Sequence, residues 1–108
     1  MSDNKMVGRP VKFRILELLA DGEELWNYEI VNTLMTEYNG KSNFQRDSFN
    51  FDLVEVAASG FIVSVDSKID EDGSLLREGT LLSKYKITAI GKGQYDDLVV
   101  KTSKKKEA

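Results

Sequence analysis

The sequence predicts a mainly helical α+β domain, and two observations carry that prediction. Apolar residues recur every three to four positions as far as Ala57, then at every second position from Phe61 onward. The chain has 108 residues of which 41% are hydrophobic, enough for one modest core, whereas two domains would each be too small to bury one.

Val11, Ile15, Leu18 and Leu19 fall at i, i+4, i+7 and i+8 behind Pro10. The fixed φ of proline suits a first helical turn, so residues 10–20 read as a helix stopped by Asp21-Gly22. In LWNYEIVNTLMTEYNG, Ile30, Leu34 and Tyr38 are four apart with Val31 and Met35 alongside, Asn27 reads as the N-cap, and Asn39-Gly40 ends the run. A third helix spans residues 42–59, where Phe49, Leu53, Val56 and Ala57 form one stripe and Gly60 closes the helix in a left-handed conformation. Phe61, Val63 and Val65 then alternate with Ile62 and Ser64 as a strand. Its partner is LLSKYKI, residues 81–87, with Ser83, Tyr85 and Ile87 on one side and Leu82, Lys84 and Lys86 on the other. Asp72-Gly73 and Glu78-Gly79 both offer turns, so the hairpin has a long polar tip. Thr88 caps a short final helix whose apolar face is Tyr95, Leu98 and Val99. Residues 1–9 read as an N-terminal arm, 10–101 as the domain and 102–108 (TSKKKEA) as a disordered charged tail.

Three helices, a two-stranded β-hairpin wing and a short C-terminal helix make a winged helix-turn-helix. With that order in place, NYEIVNTLMTEY, LVEVAASGFI and YKITAIGKGQYDDL resemble the PadR family of winged-helix transcriptional regulators. The family pattern runs Gly-Tyr-Glu-Ile, then Leu-x-x-Leu ending in Gly-Leu-Ile, then Tyr-x-Leu-Thr-x-x-Gly. Tyr28, Glu29 and Ile30 match the first part; Leu53, Val56, Gly60, Phe61 and Ile62 the second; Tyr85, Ile87, Thr88 and Gly91 the third. The resemblance covers residues 11–98. Asn27 stands where the family usually has Gly, the hairpin tip is longer than the common form, and the closing helix is short for a family that usually dimerises through it. The resemblance implies a sequence-specific DNA-binding transcriptional regulator, a repressor, acting in the cytoplasm as a homodimer on two half-sites about one DNA turn apart. It also implies a third helix in the major groove, a wing on the backbone or minor groove, and a dimer contact through Tyr95, Leu98 and Val99.

The charges complicate that picture. With 18 acids against 15 bases the net charge is −3, so nothing global pulls the chain toward nucleic acid, and any DNA contact must be local. On a helical wheel the stripe Phe49, Leu53 and Val56 leaves Asp47, Phe51, Val54, Glu55 and Ala58 on the far face of the third helix, which is acidic and apolar. Base edges need donors and phosphates repel carboxylates, so the readable part is the N-terminal half: Lys41, Ser42, Asn43, Gln45, Arg46, Ser48 and Asn50. Lys68, Arg77, Lys84 and Lys86 on the wing, with Arg9 and Lys12 before and within helix one, would bracket the duplex, although Asp66, Asp70, Glu71, Asp72 and Glu78 are interleaved with the wing bases. The competing reading is a winged-helix protein-interaction module that has lost DNA binding and meets its partner through Phe51, Val54 and Glu55.

Other chemistry is poorly served. The chain has no Cys and no His, so it lacks disulfides, thiolate zinc sites and the commonest acid–base residue, and an enzyme is not expected. Placing KIDEDGSLLREG on a calcium loop puts Lys68 at the first position and Gly79 where the bidentate Glu belongs. No cofactor and no metal is expected. Trp26, Tyr28, Phe44, Phe49 and Tyr85 read as core or rim packing, and only the family resemblance would make Trp26, Phe13 or Tyr95 part of a small-molecule effector pocket. The polar N-terminus and the lack of a long apolar run point to a soluble protein with no membrane partner.

Overall fold

The computed structural model describes the backbone of residues 10–107 and the side chains of residues 10–101. Among these the elements follow the order α1 (Val11–Leu19), β1 (Leu25–Trp26), α2 (Asn27–Glu37), α3 (Asn43–Ala58), β2 (Ile62–Asp70), β3 (Thr80–Ile87) and α4 (Ala89–Glu107). The architecture is α+β and mainly helical, with four helices and one antiparallel sheet, compatible with a winged helix.

The core is the meeting place of the predicted stripes. Ile15, Leu16 and Leu19 of α1, Ile30, Val31 and Leu34 of α2, Phe49, Leu53 and Val56 of α3, and Ile62 of β2 form one buried cluster. Removing these side chains from water is the main favourable term holding three short helices that would be marginal alone. A bidentate ion pair adds direction: Arg14 of α1 donates from Nε and Nη2 to the two Glu37 carboxylate oxygens at 2.7 Å each, clamping α1 to the end of α2. Hydrogen bonding to Glu37, and secondarily to Glu17, holds the guanidinium pKa above its ordinary value against the opposing effect of burial.

The chain passes from α3 to the wing through Gly60, whose φ of +84° lies in the left-handed region. The Gly60 and Phe61 amides donate back to Ala57 and Val56, ending the helix and starting β2. Thr88 ties the far end of the wing to this junction: its hydroxyl donates to the Gly60 carbonyl at 2.7 Å and accepts from the Gly91 amide at 3.0 Å, as the expected cap of α4.

Several expectations are corrected. The sheet has three strands, not two, in the order β1-β3-β2, because Leu25 and Trp26 pair with Tyr85 and Lys84. Two residues carry no detectable alternation, so β1 left no pattern in the sequence. In β2 the buried residues are Ile62 and Asp70 at its two ends, while Val63 and Val65 are exposed, and the register shifts between Ser64 and Asp66, so a bulge breaks the simple alternation. The closing helix is not short: α4 has 19 residues, Ala89–Glu107.

Asn27 is not the N-cap of α2 but its first residue, and it is buried. Trp26 takes the cap position, its amide donating to the Glu29 carboxylate at 2.8 Å. The Asn27 side chain instead accepts from the Ser83 amide of β3 at 3.2 Å, joining α2 to the sheet across 56 residues. Asn27→Ala should cost about 1–2 kcal/mol by leaving that amide without its acceptor, read as a lower denaturation midpoint. An unchanged midpoint would mean that solvent reaches Ser83.

Candidate nucleic-acid interface

The N-terminus of α3 is built by a reciprocal cap. Ser42 Oγ accepts from the Gln45 amide at 3.1 Å, and Gln45 Oε1 accepts from the Ser42 and Lys41 amides at 3.1 and 2.6 Å. Two of the predicted base-reading groups are therefore partly committed to holding the helix end, with the Gln45 amide nitrogen still a donor. Lys41, Asn43 and Ser48 are exposed around them.

One turn further on, Arg46 Nη1 donates to Asn32 Oδ1 of α2 at 2.7 Å, linking the two helices at the surface. Asp47, the carboxylate that most opposes phosphate contact, is held by Arg77 Nη2 from the wing, 30 residues away. Arg46, Asp47 and Asn50 of α3 and Leu76, Arg77 and Thr80 of the wing tip line a small open cleft. The fold thus brings Arg46, Asn50 and Arg77 together and neutralises Asp47 at the same place.

The tip holds its shape through Asp70. Its carboxylate is buried and accepts from the Leu75 and Leu76 amides, the latter at 2.7 Å, while its carbonyl accepts from Gly73 and Gly79. Asp72 adds a smaller turn: its carboxylate accepts from the Ser74 amide at 3.0 Å, and hydrogen bonding to Ser74 holds its pKa below the usual carboxylate value. Sequence reasoning read Asp70 as one of the acids interleaved with the wing bases and as a failed calcium ligand, and missed this role; the available signal was an Asp beside a Gly-containing tip.

The remaining basic candidates are scattered. Lys68 and Lys84 lie over Trp26, their ammonium groups 4.5 and 5.9 Å from its ring. Lys86 is exposed on β3. Lys12 is paired with Glu55 at 2.7 Å, and that hydrogen bond raises its pKa. Arg9 lies outside the described residues. Asp52, beside the Lys12–Glu55 pair, has its pKa pushed up by burial, with Lys12 opposing.

The outer face of α3 is more apolar than the wheel suggested. Phe44, expected as packing, is 82% exposed, and Phe51 (60%) and Val54 (49%) continue the same side. Ala58 is exposed at its end, and Glu55 is half-buried. Of the residues assigned to dimerisation, Tyr95 and Leu98 pack against this chain's own core, Tyr95 with its ring 5.7 Å from Phe13, while Val99 faces outward with Val100. The proposed effector group is divided: Phe13 and Tyr95 meet, whereas Trp26 stacks on Tyr28. Lys12, Phe13, Leu16, Val56, Phe61 and Leu98 are among the residues lining a groove of about 490 Å³ between α1, α3 and α4. Among the described residues no cluster of acidic side chains is placed to hold a metal ion, and no helix is long and apolar enough to cross a membrane.

No protein-family model and no curated protein matches this chain. A solved structure does: the crystal structure described as "putative transcriptional regulator TA0346 from Thermoplasma acidophilum", with a TM-score of 0.58, 24% identity, and coverage of 88% of this chain and 84% of that one. The similarity establishes a shared fold.

Proposed function

We propose that the chain is a DNA-binding transcriptional regulator, a PadR-like repressor acting as a homodimer, that contacts the duplex through the N-terminal half of α3 and the wing tip. The observation that carries this reading is the Arg77–Asp47 pair. It converts the least favourable residue of the helix into part of a neutralised cleft and sets a wing cation beside Arg46 and Asn50. The fold shared with a protein described as a transcriptional regulator supports the same reading. Binding at a net charge of −3 rests on this local arrangement, since Glu55 is also neutralised from within the chain, by Lys12.

The test is fluorescence anisotropy against mixed-sequence duplex DNA at low and at physiological salt, where phosphate contacts give an affinity that falls steeply with salt. Arg46→Ala should weaken binding about 10-fold or more. Arg77→Ala should weaken it further than the loss of one cation, because Asp47 is then left unneutralised beside phosphate. Asp47→Asn should have the opposite effect and tighten binding. No binding at low salt would transfer support to a protein-interaction module, a reading favoured by the exposed Phe44, Phe51 and Val54.

A further inference from the structure

Away from the α3–wing cleft, four elements bring aromatic rings and lysines to one place. Trp26, at the end of β1, and Tyr28, in the first turn of α2, stack with ring centroids 6.2 Å apart and an interplanar angle of 16°. Lys68 of β2 sits over both, 4.5 Å from the Trp26 ring and 5.5 Å from the Tyr28 ring. Lys84 of β3, directly paired with Trp26 in the sheet, lies 5.9 Å from the indole. The rings are half-buried, so the pair is held by the fold yet reaches the surface. The Trp26 backbone is fixed on one side by the Glu29 carboxylate and on the other by β3, so the indole is presented from a rigid position.

The charges around the rings are uneven. Lys84 has Glu24 at 3.9 Å and Asp66 opposite it in the register, and the Asp66 carboxylate accepts from the Ser67 amide. Among the described residues Lys68 makes no ion pair with a carboxylate and rests instead on the two rings. An ammonium resting on an exposed ring gains little, whereas a base stacked on the same face gains considerably more and leaves the ammonium free to meet a phosphate. Flat rings beside cations suit a ligand that is itself a flat ring joined to an anion.

We propose that Trp26, Tyr28, Lys68 and Lys84 form a nucleotide-binding platform, on which a base stacks against the aromatic pair while its phosphate is held by Lys68 and Lys84. The ligand chemistry is a nucleobase carrying phosphate, supplied either by a free mononucleotide or by an unpaired nucleotide of a strand. This site is independent of the duplex contact proposed for α3 and the wing tip, and it shares no residue with the Arg46–Arg77 cleft.

Trp26 is the single tryptophan of the chain, so its fluorescence reports on the platform directly. Titration of the full chain at low salt with thymidine monophosphate, with a ten-residue oligothymidylate and with inorganic phosphate should give saturable quenching by one or both of the first two and none by phosphate alone. Quenching by the mononucleotide with no gain in affinity for the oligomer assigns the free nucleotide as the source; tighter binding of the oligomer assigns the strand. Lys68→Ala, at an exposed position that should not disturb folding, should weaken the response about 10-fold, and Tyr28→Phe should preserve it. Arg46→Ala should leave it unchanged while weakening duplex binding, so the two proposals fail separately. Absence of saturable quenching by either nucleotide probe, or an undiminished response in Lys68→Ala, would overturn the assignment.

Discussion

Gly91→Ala should destabilise the protein by about 3 kcal/mol, toward the upper end for overpacking, because the atom it strikes cannot move aside. A Cβ at residue 91 would lie 1.9 Å from the Phe61 carbonyl oxygen and 2.8 Å from its carbon, with Ile87 Cγ1 at 3.0 Å. The Phe61 carbonyl is not free to retreat, since it accepts from the Thr88 amide at 3.0 Å and shares the Thr88 hydroxyl proton with the Gly60 carbonyl. The same region joins α3 to β2 and receives the first turn of α4, so a shift there separates three elements at once. Gly93 provides the comparison. It lies on the same helix with nothing near its would-be Cβ, and Gly93→Ala should stabilise by roughly 0.5–1 kcal/mol through helix propensity alone. Denaturation midpoints of the two variants should move in opposite directions. If both moved upward, α4 would not be seated on the Phe61 carbonyl in solution.

Much of this was legible in sequence where the signal was local. The Gly22 stop of α1, the buried stripe of α3 and the Gly60 stop all lie within a few residues of the feature that they determine, and each appears in the structure. The course of α4 as far as residue 101 was legible too. Lys92–Asp96 and Asp97–Lys101 form ion pairs four residues apart, 2.9 and 3.1 Å long, the spacing that supports a continuing exposed helix. Neither pair reaches beyond residue 101.

What was not legible depended on chain folding back from a distance. Asn27 reads as a cap because Asn commonly caps, and only the arrival of Ser83 makes it a buried acceptor. Asp47 reads as a repulsive charge on a recognition helix, and nothing within 29 residues of it reveals that Arg77 will cover it. Phe44 reads as core by its chemistry, yet α3 buries the stripe that starts at Phe49, which turns Phe44 to solvent. Position within an element decided these cases, not residue type.

Asp70→Ala should remove the wing tip as a structured element. The buried carboxylate accepts from the Leu75 and Leu76 amides, and hydrogen bonds to a charged group contribute about 1.5–3 kcal/mol each, so losing both costs about 3 kcal/mol unless the tip opens locally to find water. The tip has no hydrophobic core of its own apart from the partly buried Leu75 and Leu76, which makes local opening the cheaper response. Hydrogen exchange should then show the Leu75, Leu76 and Gly79 amides losing protection while the amides around Leu53 keep theirs. Asp70→Asn, which keeps an acceptor but not the charge, should fall between. Because Arg77 lies in the released segment, its hold on Asp47 should go as well, and duplex affinity should drop as far as in Arg77→Ala. Unchanged protection at Leu75 and Leu76 would mean that the backbone of the tip is held without the carboxylate. Lost protection with undiminished duplex binding would separate the tip from the contact, leaving Arg46 and the capped end of α3 to carry it alone.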